Sequence, residues 1–323
     1  MSKSAFQMAL LGFVLIYAAE AGAEKVRVAL PDFSMSLIAF IAAQDKGFYR
    51  NEGLDTEFIK MSAPVANLAI LAGNVEFGAA GAAAIPSVVR GAPLQFLFHT
   101  YQRPLYWLYA RSDIRDVQAL KGKRVGVSGI GSGPDLLLRE LLKKYGLDAA
   151  RDVTIMALGV GTARFAALKA GSVESAVLSP PSNFLAEEAG FRELVSFAKE
   201  DLIELQSAVV VREGMPQSNP ALVEKFVRAT LKGFLYAREN RAGTISILTK
   251  IHAGTPEIAA KTYDASRPAM TPDGTVAEDL QRKTIEQAAI RLDLKEPPPL
   301  KKIFDYSFTR KARAQLTAQG WKP

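Results

Sequence analysis

The sequence predicts an α/β protein of two related lobes, each a mostly parallel sheet flanked by helices. Three observations carry that reading. Apolar, β-branched runs alternate with helical patterns from Lys25 to Arg212, as in parallel sheets covered on both faces. The order strand, loop, helix, Gly-Leu-Asp, strand in Lys25–Met61 recurs in Gly122–Leu158. A second match follows, Ala72-Gly73-Asn74-Val75-Glu76 against Ala170-Gly171-Ser172-Val173-Glu174. The offset is 97 residues for Val28 and Val125 and 98 for Gly73 and Gly171, too long for a solenoid repeat.

The chain opens on Lys3 and an uncharged run, "AFQMALLGFVLIYAA", closed by Ala21-Gly22-Ala23. Basic start, short apolar stretch and small residues are the parts of a secretory signal peptide, so residues 1–23 are expected to be cut off after Ala23. The apolar run falls short of the ~20 residues of a membrane span, so no stable membrane anchor is expected. The 323 residues contain no cysteine, which excludes a lipoprotein anchor, a thiol nucleophile, a Cys-ligated metal and a disulfide. The formal charge of +7 is scattered, as in "KGKR" and "RKAR", with no basic stripe interleaved with aromatics. Nucleic acid is therefore not an expected partner.

The first unit reads strand (Lys25–Leu30), the loop "PDFSMS", helix and second strand, then a short helix, a strand, and a turn with Gly81 and Pro86. The segment "LQFLFHTYQRPLYWLYARSD", from Leu94, leaves this unit for the second. There "RVGVSGIGSGPDLLLREL", from Arg124, runs a strand through Gly126, Gly129, Gly131 and Gly133 into a helix, bringing bare N–H groups and a helix N-terminus toward an anion. The spacing is not the dinucleotide G-x-G-x-x-G, no carboxylate ends the next strand, and no Gly-Lys-Ser/Thr is present, so a nucleotide is not expected. "ELQSAVVVREG", from Glu204, returns to the first unit, and the two crossings, at Tyr106–Ala110 and Ser207–Val211, read as a two-strand hinge. The lobes are thus 24–107 with 208–323, and 108–207. The remaining helices begin at Asn219-Pro220 and Thr255-Pro256, good N-cap and N1 pairs, and are expected to brace the first lobe.

"AAQDKGFYRNEGLDTEF" from Ala42, "LKGKRVGVSGIGSG" from Leu120, "ALKAGSVESAVLSPP" from Ala167 and "FDYSF" from Phe304 resemble periplasmic solute-binding proteins of ABC importers, in the nitrate/sulfonate/taurine and thiamin-pyrimidine-precursor class. The resemblance spans nearly all of the mature chain. It implies a two-lobed type II periplasmic binding protein fold, a periplasmic location, a small-molecule ligand in the interlobe cleft, an ABC transporter permease as partner, and a monomer without a cofactor. Two other readings share the fold: a sensor presenting its ligand to a membrane receptor, and a pyrimidine-precursor synthase-like enzyme that depends on cysteines this chain lacks.

Parallel sheets leave their crevice at the carboxyl ends of the strands. The residues expected there are Phe33, Ser34 and Ser36 after the first strand, and Gly81 and Ala82 after the third. Thr100, Tyr101 and Arg103 follow the fourth, after His99, which reads as structural. In the second lobe they are Ser128, Gly131, Ser132 and Gly133, then Thr162, and then Ser179 and Pro180. Arg103 is the first choice for a ligand's charge, with Arg164 as the alternative. Serine hydroxyls and loop N–H groups suit an anionic end; Phe33, Tyr101 and the alanine-rich turn suit an apolar body. A small organic sulfonate or carboxylate fits this set better than a bare oxyanion. No catalytic residue and no metal ligand set is expected, because the two histidines lie far apart and no cysteine exists.

Overall fold

The computed structural model describes residues 22–200, 202–252 and 255–323; residues 1–21, most of the expected leader, lie outside it. Lobe 1 holds β1 (Glu24–Leu30), β2 (Leu54–Lys60), β3 (Phe77–Gly78) and β4 (Leu94–His99). Lobe 2 holds β5 (Trp107–Ala110), β6 (Arg124–Val127), β7 (Thr154–Ala157), β8 (Ser175–Leu178) and β9 (Arg192–Ser196), and β10 (Ala208–Arg212) returns to lobe 1. The sheet orders are β2-β1-β3-β10-β4 and β7-β6-β8-β5-β9. They are one pattern written twice. β1 and β6 each lie parallel to two neighbours, and β10 and β5 are the antiparallel strands inserted before the edge.

The duplication extends to side chains. Glu76 accepts hydrogen bonds from the Arg27 backbone N–H (2.7 Å) and from its guanidinium Nη2 (2.6 Å). Glu174 accepts the same pair from Arg124, at 2.9 and 2.6 Å. Each clamp ties the start of the lobe's central strand to the turn before its third strand. Glutamate has the reach to satisfy backbone and side chain of one arginine together.

β1 buries Val26, Val28 and Leu30 on one face and Ala29 on the other, where Lys25 and Arg27 mark its more open start. The C-terminal helices brace lobe 1, as expected. Asn219 accepts from Leu222 N–H and Thr255 from Ile258 N–H, so both helix starts are capped as read. Helix Pro220–Glu239 buries Val223, Phe226, Val227 and Phe234, and Phe226 stacks on Phe77 with centroids 3.7 Å apart. Emptying that stack, Phe226→Ala, costs roughly 3–5 kcal/mol.

The segments that join the lobes lie just beside the two crossings the sequence suggests. Tyr109 and Val210 sit in ladders in the middle of opposite sheets, and hydrogen-bonded strands do not flex. Outside the two sheets the crossings are Thr100–Tyr106, whose Tyr101 still bridges Met270 of lobe 1, and, among the described residues, Phe197–Glu200 and Leu202–Ser207. They are pinned together at both ends, Thr100 N–H to Ser207 O (2.8 Å) and Phe197 N–H to Tyr106 O (3.1 Å).

Candidate functional site

Between the lobes lies a cavity of about 260 Å³. Lobe 1 contributes Asp32, Phe33 and Ser34 from the loop after β1, Lys60 from the end of β2, and Ile251 from a bracing helix. Lobe 2 contributes Gly161 and Thr162, where β7 passes into helix Gly161–Lys169, and Ser179 to Ser182 after β8. The walls are therefore strand ends and helix starts, as the crevice rule demands. The Ser34 hydroxyl donates to Asp32 Oδ1 at 2.7 Å and shares a 2.7 Å hydrogen bond with Ser36, which orients the Asp32 carboxylate. Phe33 is 42% exposed, its ring 6.2 Å from that of Phe58, an unusual cost for a free aromatic surface.

One side chain packed behind this wall, not itself among the lining residues, stands apart electrically. Arg164, on helix Gly161–Lys169, is 2% exposed, yet its Nε and Nη1 have no hydrogen-bond partner and it forms no ion pair among the described residues. Its Nη2 lies 3.6 Å from the place a side chain on Gly161 would take, beside the Ser182 hydroxyl. Burial pushes the guanidinium below its ordinary value, against the pull of Tyr106 and Asp32, but an arginine remains charged throughout. A buried, unpaired cation is expensive, so a counter-charge belongs there. Two more buried side chains carry unpartnered polar atoms: Asn183 at Oδ1, beside the cavity-lining Ser182 in sequence, and Gln206, whose amide lies against the Tyr106 phenol.

The structure divides the residues expected at the site into four groups. Phe33, Ser34, Thr162, Ser179 and Pro180 line the cavity together, with Ser36 one hydrogen bond away. Thr100 and Tyr101 are wholly buried in lobe 1, where Thr100 donates to Ser207 and the Tyr101 hydroxyl donates to Met35 O at 2.7 Å. Arg103 is exposed on the first crossing, away from the cavity lining.

The glycine loop forms the fourth group with Gly81 and Ala82, and its donors are spent within it. Ser128 donates to Ser132 (2.7 Å), Ser132 to Gly129 O (2.6 Å), and Gly131 N–H to Asp135 (2.8 Å). The loop instead packs against lobe 1: Gly131 faces Pro64, and Gly133 faces Ala82 and Glu204. Gly81 lets backbone approach backbone, since a Cβ there would fall 2.7 Å from Gln206 O. His99 is structural, buried with Nδ1 2.8 Å from the Tyr306 hydroxyl and pushed down to about 3 by desolvation.

Sequence reasoning passed over Asp32, Lys60 and Ser182. Asp32 had a signal, standing in the quoted loop "PDFSMS"; Lys60 and Ser182 had none, because only the packing of the lobes brings them to the cavity.

The profile of the family described as NMT1/THI5 like matches residues 34–242, most of the chain. The protein belongs to that family. None of the curated proteins compared with the chain matches it. Among solved structures, a protein of Bordetella bronchiseptica RB50 is similar at 19% identity with a TM-score of 0.81, over 91% of this chain and 98% of that one. The periplasmic aliphatic sulphonate binding protein SsuA of Escherichia coli is similar at 19% and 0.66, over 86% and 96% of the two chains. The periplasmic nitrate-binding protein NrtA of Synechocystis PCC 6803 is similar at 15% and 0.72, over 91% and 89%. At these identities the likeness is one of fold, and the fold is that of the periplasmic binding proteins. Among the described residues of this NMT1/THI5 like protein, no helix is long and apolar enough to cross a membrane.

Proposed function

We propose that this chain is an extracytoplasmic solute-binding protein that captures a small organic anion between its lobes and delivers it, as a monomer, to an ABC importer. The observation that carries the reading is Arg164: a buried guanidinium with two nitrogens unpartnered among the described residues, packed behind the cavity-lining residue Gly161. A carboxylate or sulfonate supplies the missing charge through charge-assisted hydrogen bonds. Phe33, Pro180, Pro181 and Ile251 supply apolar wall, which a nitrate-sized ion would leave uncovered. The sulphonate-binding and nitrate-binding periplasmic proteins of like fold support an anionic solute, and the leader expected at residues 1–23 supports export. Arg164 takes the role the sequence reading offered first to Arg103.

A thermal-shift screen of sulfonates, carboxylates, pyrimidines and inorganic anions tests this, because a ligand that binds only the folded state raises its melting temperature. A stabilising organic anion whose affinity falls in Arg164→Ala is the expected result. A tight ligand indifferent to Arg164→Ala overturns the assignment.

A further inference from the structure

A second buried, unpartnered ionisable group lies on the opposite flank of the lobe contact. Glu204, in the crossing Phe197–Ser207, is 5% exposed, and neither carboxyl oxygen has a hydrogen-bond partner among the described residues. Gly133 of lobe 2, Ala82 and Ile85 of lobe 1, and Thr284 and Arg291 of helix Glu278–Arg291 enclose it around a void of about 20 Å³. A void of that size admits about one water molecule.

The charges that face Glu204 come from three elements. Helix Gly133–Lys144 brings Glu140, with Lys143 acting on Glu140; Asp135 of the same helix is occupied by Arg139 and the Gly131 N–H. Helix Glu278–Arg291 brings Arg291, and the first crossing brings Tyr106. Helix Gly81–Val89 presents only Ala82 and Ile85. Arg291 is committed to Glu140 in an ion pair that spans the two lobes, and Glu140 keeps a second oxygen buried and unpartnered. Two carboxyls thus share one guanidinium. With no protein donor among the described residues to hold a negative charge and a like charge close by, the neutral acid is the favoured form of Glu204 in this arrangement.

We propose that Glu204 is a proton-linked latch, buried and protonated when the lobes close, hydrated and ionised when they part. Closing adds one proton from solvent to one carboxylate, and opening returns it; nothing else changes hands. Burial, and next the charge of Glu140, push the Glu204 carboxyl up to about 8. Since that value belongs to the closed state, closure is favoured at low pH. It weakens as pH rises from the ordinary carboxyl range toward about 8. The latch rests on the reading of a cleft that opens and closes around a solute, and gives it a pH-dependent affinity.

The absence of native cysteine permits a clean test. Leu68→Cys and Arg151→Cys place spin labels on exposed sites, one on each lobe, and pulsed electron resonance reads the distance between them without ligand. Between about pH 8.5 and about pH 5.5 the closed population is expected to grow relative to the open one, by up to roughly tenfold per pH unit. Glu204→Gln is expected to abolish the titration, and Glu140→Gln to move its midpoint to lower pH. A wild-type distance indifferent to pH overturns the latch, whether or not Glu204→Gln folds, and so does a Glu204→Gln protein that titrates like wild type. The most stabilising sulfonate or carboxylate of the thermal-shift screen separates the two readings. If it shortens a distance that pH leaves alone, the latch fails and the solute-binding function stands. If neither moves the distance, the closing cleft fails as well.

Discussion

Arg164 and Glu204 are both buried where the lobes meet, and both lack partners, yet burial demands different things of them. An arginine cannot shed its proton in a protein, so the flank that holds Arg164 is left short of a negative charge. A carboxyl has the second option of becoming neutral, so the flank that holds Glu204 balances itself with solvent protons. Similar burial with unequal proton affinity is why we assign ligand binding to one flank and a proton switch to the other.

The largest effect that tests this contrast is on binding. Arg164→Ala is expected to cost an organic anion roughly 1.5–3 kcal/mol of affinity by calorimetry, the value of a hydrogen bond to a charged group. The same substitution should leave the ligand-free protein as stable as wild type or more so, because it removes a buried charge that nothing pairs. Arg103→Ala should change neither quantity, since that side chain is exposed outside the cavity. A loss at Arg103 with none at Arg164 would invert the assignment of the flanks.

Gly133→Ala comes next and acts on the other flank. A methyl group there runs into the Glu204 carboxyl and comes within 3.3 Å of the Ala82 Cβ. Overpacking of this kind costs about 1–3 kcal/mol. It should appear as a longer interlobe label distance at low pH, and an unchanged distance would show that the lobe contact tolerates the methyl. Ser132→Ala is expected to lower stability by about 1 kcal/mol through the lost hydrogen bond to Gly129 O, with ligand affinity unaltered. A binding defect in that variant would return the anion to the glycine loop.

The smallest effect falls outside the cleft and calibrates the rest. The Arg124 side chain holds the Glu174 carboxyl down at about 2, below its ordinary value of 4.5. A depressed carboxyl stabilises the fold above its unfolded value, and that contribution disappears as pH falls from about 4.5 to about 2. Because the pair is largely solvated, Glu174→Gln should lower the melting temperature at neutral pH by only about a degree or two. The gap from wild type should close in acid. A gap that widens in acid would contradict the clamp.

Whatever depends on neighbours in sequence was legible from the chain alone. The strand–helix alternation, the duplicated unit, and the caps at Asn219 and Thr255 are local patterns, and each is present in the fold. Part of the site was legible for the same reason. Phe33, Ser34, Thr162, Ser179 and Pro180 follow strand ends, and strand ends of both sheets converge on the crevice.

Which donors remain free was a different matter. Ser128 and Ser132 carry the right hydroxyls, but their loop curls so that each is satisfied a few residues away. Arg103 and Arg164 are alike as residues in a string and opposite as residues in space. One is exposed on the first crossing, and the other is buried to 2% exposure beside Gly161.

The sequence by itself determined two α/β halves of one design, joined by two crossings and braced by capped helices, because hydrophobic period and turn chemistry are written residue by residue. Only the tertiary structure decided that Arg164 is buried with no ion pair among the described residues, that the glycine loop serves lobe contact, and that Glu204 is buried between lobes. Those outcomes follow from how far each charge is removed from water, and desolvation is set by the whole surrounding packing rather than by any stretch of chain.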